Sequence, residues 1–243
     1  ARQAQLVHGI HPDNSRLSIF PTIARTRKIL IGHAPCYNRA MTSHAHRISA
    51  IVPAAGLSSR MGGPLPKPLL PWGTATVIET VVNTLLAAAV DEIIIVTGHR
   101  GEEIEARLRG YAVRCVRNPH YHSGEMLSSI QTALAAADSQ SAGALLALAD
   151  QPQMEAPVAR QVVEAFRVGD GGGLIVPSYA MRRGHPITLP RRLWPEILAL
   201  SWDNTLRSVL QQHAAEITYL PVDTPSVLTD LDTREQYRVS RQE

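Results

Sequence analysis

From residue 48 onward, short apolar runs alternate with longer segments in which apolar residues recur every three to four positions. The short runs have the length of strands buried on both faces, and the longer segments have a helical period. This order predicts an α/β fold in which helices cover both faces of a mostly parallel sheet. The predicted strands are 48–54, 92–97, 112–116, 143–149, 173–177, 186–189 and 216–222. The predicted helices are 76–90, 102–109, 126–137, 157–168, 191–199, 204–213 and 233–241.

The segment before this pattern, residues 1–47, has no sustained period of 3.6 or 2. It holds seven Arg and Lys residues against the single acid Asp13. We predict a basic, poorly structured extension ahead of one folded domain, residues 48–243. Its bias resembles an organelle transit peptide, and an over-long start with Met41 as the natural initiator explains it equally well.

Charge and composition exclude several classes of protein. Residues 48–243 carry seventeen bases against twenty acids, which argues against a nucleic-acid-binding surface on the folded domain. Two cysteines, Cys36 and Cys115, suggest neither a disulfide framework nor a thiolate metal site. No apolar run has the length of a membrane span, so we expect a cytoplasmic protein with no membrane partner.

The loop after the first strand is the first candidate site, because ligands of parallel sheets bind beyond the carboxyl ends of the strands. It leaves the strand through Ala54, Ala55 and Gly56, small residues that permit close approach of a ring or phosphate. The loop matches neither the mononucleotide nor the dinucleotide glycine motif. Arg60 and Lys67 supply two cations, which suits a polyphosphate, although a solvated loop would also contain such residues.

Lysine usage favours a function for Lys67. Of the 24 basic residues only Lys28 and Lys67 are lysine, so the folded domain uses arginine at every other cationic position. A compact ammonium group, rather than a planar guanidinium, is therefore indicated at residue 67.

The stretch "LLALADQP", residues 145–152, places Asp150 at the end of an apolar strand. A carboxylate at that edge is costly without a partner, and Mg²⁺ is a natural one because it binds one or two carboxylates together with water and phosphate oxygens. A cap for the following helix is the alternative. Further along, Asp230 and Asp232 offer a second acid, and alternation along a strand would point both the same way.

The pattern A-A-G-L-S-S-R-M-G, followed by a lysine and an apolar run, resembles the signature loop of the nucleotidyltransferases related to the enzymes that attach a nucleotide to molybdopterin. The resemblance covers residues 48 to about 240 and implies a doubly wound, Rossmann-like sheet. It implies that Ala54, Ala55 and Gly56 cradle the base and that Arg60 and Lys67 neutralise the triphosphate. "PAAGLSSRMG" is similar to the cytidylyl-transferring branch, whereas the guanylyl-transferring branch typically shows Leu-Ala-Gly-Gly.

Later segments extend the resemblance. "VTGHRGEEI", residues 96–104, is similar to a second base-side loop and implicates the backbone of Gly98. "VRNPHYHSGEMLSSIQTAL", residues 116–134, resembles the segment that closes over the nucleotide. The resemblance implies that Asn118 hydrogen-bonds base or ribose, with Ser128 or Ser129 at a helix entrance. Ordinary helix chemistry would explain the serine equally well.

The acceptor and metal residues implied by the resemblance lie in two more segments. "MRRGHPITL", residues 181–189, is similar to the G-H-P segment of the acceptor half, so Arg182, Arg183 and His185 are expected to bind the acceptor phosphate. A structural histidine beside two solvated arginines is the alternative. The segment "LTDLDTREQY" resembles the family's D-x-D-T-P segment, with Arg234 where proline is usual, and the resemblance implies that Asp232 is the metal ligand beside Asp150.

The implied reaction is Mg²⁺-dependent transfer of CMP from CTP to the phosphate of molybdenum-bearing molybdopterin, with a molybdoenzyme apoprotein as a possible partner. A transferase for another phosphorylated acceptor, such as a sugar phosphate, and a non-catalytic cofactor carrier stay open. A redox enzyme is disfavoured because the dinucleotide glycine pattern is missing from the sequence. The transferase interpretation requires the two loop cations and Asp150 to converge.

Overall fold

The computed structural model describes residues 46–57, 65–123 and 125–242. The predicted extension up to residue 45, with Cys36, and the predicted catalytic Arg60 lie outside the described residues. The first strand begins at Arg47, one residue before the predicted domain boundary.

Ten strands follow one another along the described chain. They are β1 (Arg47–Pro53), β2 (Pro71–Trp72), β3 (Ala75–Thr76), β4 (Glu92–Thr97), β5 (Arg114–Arg117), β6 (Ser141–Leu146), β7 (Leu174–Tyr179), β8 (Arg182–Arg183), β9 (Ile187–Pro190) and β10 (Ile217–Pro221). All seven predicted strands are confirmed within a few residues. The additional strands β2, β3 and β8 have two residues each, too few to produce a period in the sequence.

Seven α-helices lie among the described residues, and each corresponds to a predicted one. They are α1 (Val77–Ala87), α2 (Gly101–Arg107), α3 (Glu125–Ala136), α4 (Ala156–Val168), α5 (Trp194–Ala199), α6 (Leu206–Gln212) and α7 (Arg234–Gln242). The predicted helix 191–199 is divided into a 3-10 turn, Arg191–Leu193, and α5. None of the described helices is long and apolar enough to cross a membrane.

The main sheet has the strand order β5-β4-β1-β6-β9. Its pairings are parallel except that β9 runs antiparallel to β6. One cluster of buried apolar side chains includes residues of α1 and α4, and a second cluster includes residues of α3 and α5. The predicted α/β class with a mostly parallel, doubly wound sheet is therefore confirmed.

A smaller sheet, ordered β10-β7-β8, lies next to β9. The Thr188 hydroxyl of β9 accepts a hydrogen bond from the Ile175 amide and donates one to the Gly173 carbonyl, both at 2.7 Å. Thr188 is fully buried, so these bonds satisfy its hydroxyl without water. The side chain thus connects the two sheets.

Candidate active site

Lys67 begins a single 3-10 turn, Lys67–Leu69, between the loop after β1 and the β2–β3 hairpin. Pro66 precedes the turn and Pro68 lies buried within it, and both restrict the backbone. The Leu70 carbonyl accepts a hydrogen bond from the first amide of α1, Val77, at 3.0 Å. The backbone beneath the Lys67 side chain is therefore held against a helix of the core.

Asp150 follows β6 at the carboxyl edge of the main sheet. The Ala147 amide still donates to the Ile51 carbonyl of β1 at 3.1 Å, after which the chain turns, with the Gln151 amide donating to the Leu148 carbonyl. Lys67 Nζ donates to Asp150 Oδ2 at 2.8 Å. Helix α4 begins at residue 156, so Asp150 does not cap it, and the capping alternative is wrong.

Asp232 completes the cluster, with Lys67 Nζ 3.2 Å from Asp232 Oδ1. The Leu231 amide donates to the Asp150 carbonyl at 3.0 Å, which fixes the backbone next to Asp232. The Asp232 amide donates to Gln236 Oε1 of α7 at 2.8 Å. The structure therefore brings together Lys67, Asp150 and Asp232, residues widely separated in the sequence.

Asp230 and Asp232 do not lie on a strand, so the strand expected to carry these two acids is not found. The segment between the 3-10 turn Pro225–Leu228 and α7 is irregular, with Leu231 buried between the partly buried Asp230 and Asp232. Asp230 Oδ1 instead accepts a hydrogen bond of 2.6 Å from Gln151 Nε2. Burial raises the pKa of Asp230, and the neighbouring charges of Asp150 and Asp232 add to the effect.

The cluster suits a small divalent cation. Asp150 and Asp232 each place an oxygen within 3.2 Å of the same Nζ atom, so both carboxylates reach one cationic centre. Within the described ranges, no group of three or more His, Cys, Asp or Glu side chains could hold a metal by itself. Two carboxylates, completed by water and phosphate oxygens, are the set that Mg²⁺ accepts.

The loops after β1 and β4, which are predicted to contact the base, run alongside each other. The Ala54 amide donates to the Val96 carbonyl at 2.8 Å, and the His99 amide donates to the Ala55 carbonyl at 3.3 Å. A Cβ atom on Gly98 would lie 2.7 Å from the Cβ atoms of both Ala55 and Tyr121, so no larger residue fits there without displacement. The predicted residues Ala54, Ala55 and Gly98 thus lie together.

Gly56 differs from Gly98, because it is exposed and a Cβ atom added to it would meet nothing within 4 Å. A contact between Gly56 and a nucleotide stays a prediction. The space around this glycine is compatible with close approach of a ligand to the backbone.

Asn118 is fully buried, and Ser128 and Ser129 are nearly so. Asn118 Nδ2 donates to Ser128 Oγ at 2.8 Å and to Ser129 Oγ at 3.1 Å, while its Oδ1 accepts from the His120 amide at 2.9 Å. These bonds join the loop after β5 to the second turn of α3. The two residues predicted to bind the nucleotide, Asn118 and Ser129, are thus hydrogen-bonded to each other in this structure. Their direct contact with a nucleotide stays a prediction.

The predicted acceptor residues have different surroundings. Arg183 is exposed in β8, with its guanidinium carbon 5.3 Å from the Tyr219 ring centroid. His185 is partly buried, and its amide donates to the Val227 carbonyl at 2.9 Å. Burial lowers the pKa of His185 to about 4 against the opposing charge of Asp150, so the imidazole is neutral at pH 7. Any contact with phosphate would be a neutral hydrogen bond.

Two glutamines that support the acids were missing from the sequence prediction. Gln151 orients Asp230, and Gln236 accepts bonds from the backbone amides of Asp232 and Thr233. The position of Gln151 directly after Asp150 was the available signal. Nothing in the pattern of α7 distinguishes Gln236 from an ordinary exposed helix residue.

Ligands of open α/β sheets bind beyond the carboxyl ends of the strands, and Lys67 contacts Asp150 at such an end. Residues 50–217 match the MobA-like NTP transferase domain family, to which the chain therefore belongs. The protein is a nucleotidyltransferase of that family.

Similar proteins span almost the whole folded domain. The nicotine blue oxidoreductase of Paenarthrobacter nicotinovorans is 30% identical over 79% of this chain and 96% of its own. The molybdenum cofactor cytidylyltransferase of Escherichia coli K12 is 26% identical over 80% of this chain and 96% of its own. A Mycobacterium tuberculosis H37Rv protein, solved in complex with manganese, is 26% identical, with a TM-score of 0.63 over 82% of this chain and 99% of its own.

Proposed function

We propose that this protein transfers CMP from CTP to the phosphate of molybdenum-bearing molybdopterin and releases pyrophosphate, with Mg²⁺ bound by Asp150 and Asp232. The observation that carries the proposal is the convergence of Lys67 Nζ on both carboxylates. The similarity to a molybdenum cofactor cytidylyltransferase supports the choice of donor and acceptor. We place the reaction in the cytoplasm, with a molybdoenzyme apoprotein as recipient of the product.

In this reaction an oxygen of the acceptor phosphate attacks the α-phosphorus of CTP. The bond from the α-phosphorus to the oxygen that bridges to the β-phosphate breaks, and pyrophosphate leaves with the electron pair. The acceptor oxygen is already ionised, so no side chain has to remove a proton. The residues of the chain therefore align the two substrates and stabilise negative charge.

We infer that Lys67 changes its ion-pair partners during the reaction. Without substrate it pairs with Asp150 and Asp232, and with nucleotide and metal present it exchanges them for phosphate oxygens of the leaving group. When bound, Mg²⁺ supplies Lewis-acid stabilisation of the phosphoryl oxygens. Arg60 is proposed as the second cation, on the resemblance of its loop alone.

A redox function is the second candidate, because a relative of similar length is named an oxidoreductase. The Lys67 cluster disfavours it, since hydride transfer requires no ammonium group between two carboxylates. The same cluster disfavours a non-catalytic carrier, which would need no metal-binding acids. A different phosphorylated acceptor, such as a sugar phosphate, would use the same donor-side residues.

The test is a screen of the purified protein with each of the four NTPs and Mg²⁺ against molybdopterin and a set of sugar phosphates, scored by pyrophosphate release. We expect release with CTP and the pterin acceptor. Release with a sugar phosphate alone would replace the acceptor. Oxidation of NADH or NADPH in the presence of a chromophoric acceptor, without pyrophosphate release, would establish the redox alternative.

A further inference from the structure

A cavity of about 310 Å³ lies beside the carboxylate cluster. Its walls come from the turn between β7 and β8, the segment 225–230 and α7, and they include Tyr179, Arg182, Asp230 and Gln236. The volume is at the lower end of the range for small-molecule pockets, which suits a single bicyclic ring.

The strand order separates this cavity from the residues predicted to bind the nucleotide base. Ala54 and Gly98 follow β1 and β4, whereas the cavity is built on the β7–β8 turn, beyond β6 and β9. Two side chains connect the cavity to the cluster. Gln236 lines the cavity and accepts a hydrogen bond from the Asp232 amide. Asp230 also lines the cavity and lies two residues before Asp232 in the chain. The cavity is therefore on the acceptor side of the reacting centre.

Asp230 is oriented in this wall by a buried partner. Gln151 is 1% exposed and donates from Nε2 to Asp230 Oδ1 at 2.6 Å, while its own Oε1 has no hydrogen-bond partner in the described part of the chain. No described residue donates a hydrogen bond to Asp230 Oδ2. Since Oδ1 retains a second lone pair, the carboxylate can accept two parallel N–H bonds from a ligand.

We propose that the cavity binds the ring end of the acceptor, a planar heterocycle whose edge presents two adjacent N–H donors to Asp230 and a neighbouring carbonyl to Arg182. This inference rests on the proposed function and makes Asp230 a residue that determines acceptor specificity. The 2-amino-4-oxopyrimidine edge of a pterin has donor, donor and acceptor in that order. A sugar phosphate has no such edge, and paired charge-assisted bonds are stronger than single neutral ones.

The experiment compares 6-hydroxymethylpterin with 6-hydroxymethyllumazine, which has a carbonyl in place of the 2-amino group, by fluorescence titration of the full chain. The wild type is expected to bind the pterin about tenfold more tightly, because the lumazine leaves Asp230 with one donor and one repelling carbonyl. Asp230→Asn is expected to remove this preference. Asp223→Asn, the same change at an exposed acid outside the cavity wall, is expected to keep it.

Arg182→Gln is the second variant, at an exposed position whose replacement spares the core. Both ligands carry the 4-carbonyl, so this change is expected to weaken both by a similar factor. Equal affinity of the wild type for pterin and lumazine, or an undiminished preference in Asp230→Asn, would overturn the inference. Retained Mg²⁺–CTP binding by Asp230→Asn would locate its defect in acceptor recognition. A clear pterin preference without pyrophosphate release from CTP would contradict the proposed transfer while leaving the ring pocket standing.

Discussion

Lys67 donates a hydrogen bond to Asp232 across a sequence separation of 165 residues, and the same Nζ atom contacts Asp150. Three local structures make this possible: a proline-flanked turn under Lys67, a sheet edge under Asp150, and an irregular segment pinned by Leu231 and Gln236 under Asp232. The cluster is thus held by backbone bonds as well as by its own charges.

Metal affinity should respond in opposite directions to the two kinds of substitution in this cluster. Lys67→Met removes the ammonium that competes for the carboxylates, so Mg²⁺ should bind several-fold more tightly although turnover falls. Asp150→Asn should weaken Mg²⁺ binding about tenfold or more. Calorimetric titration with Mg²⁺, and with Mn²⁺ as a second probe, measures both. Unchanged affinity in the two variants would exclude these carboxylates as ligands.

Metal removal should abolish turnover and leave the fold intact. We expect pyrophosphate release to stop in excess EDTA and to return when Mg²⁺ is added in excess of the chelator, with an unchanged far-UV circular dichroism spectrum. Full activity in EDTA would contradict a metal role in the reaction.

Alanine substitutions at Gly98 and Gly56 should distinguish a packing role from contact with the nucleotide. Gly98→Ala places a Cβ atom 2.7 Å from those of Ala55 and Tyr121, so it should lower the free energy of unfolding by about 1–3 kcal/mol and weaken CTP binding. Gly56→Ala meets nothing within 4 Å and should weaken CTP binding without lowering stability. Gly172→Ala, also in open space, is the control for both. Denaturant unfolding and nucleotide titration measure the two effects, and a stable Gly98→Ala would show that the loops can separate.

Asn118→Ala should destabilise the protein by about 2–3 kcal/mol, because it removes the hydrogen bonds that Asn118 makes with the buried Ser129 hydroxyl and with the His120 amide. Asn83→Ala, at an exposed position of α1, is the matched control. Thermal unfolding without ligand checks the prediction. A variant with wild-type stability and reduced CTP affinity would instead indicate that Asn118 serves mainly as a nucleotide contact.

His185 should make stability depend on pH in the acid range. Its pKa is about 4 in the folded protein and near 6.5 when unfolded, so below pH 6.5 the unfolded state binds a proton that the folded state does not. The wild type should therefore lose stability relative to His185→Gln as the pH falls from 6.5 to 4, by at most on the order of 3 kcal/mol. Urea unfolding of both proteins at pH 7.5 and 4.5 measures it, and a constant difference between them would refute the neutral imidazole.

Strand and helix positions followed from periodicity, because the buried strands and amphipathic helices of this fold have strong patterns. Asp150 could be identified for a related reason, since an acid that ends an apolar strand has few structural explanations. The orientation of Asp230 could not be predicted, because it depends on Gln151, 79 residues away in the chain. The internal bonding of Asn118 was likewise hidden, since a buried amide and a ligand-binding amide look the same in a sequence.

The most direct test of the central claim is a double-mutant cycle on Lys67 and Asp150, measured as kcat/KM for pyrophosphate release, with Arg207→Ala, at an exposed position of α6, as the control. We expect Lys67→Ala and Asp150→Asn each to lower kcat/KM by about 100-fold or more, and the loss in the double variant to fall far short of the product of the two effects. Wild-type rates in both single variants would contradict the central claim.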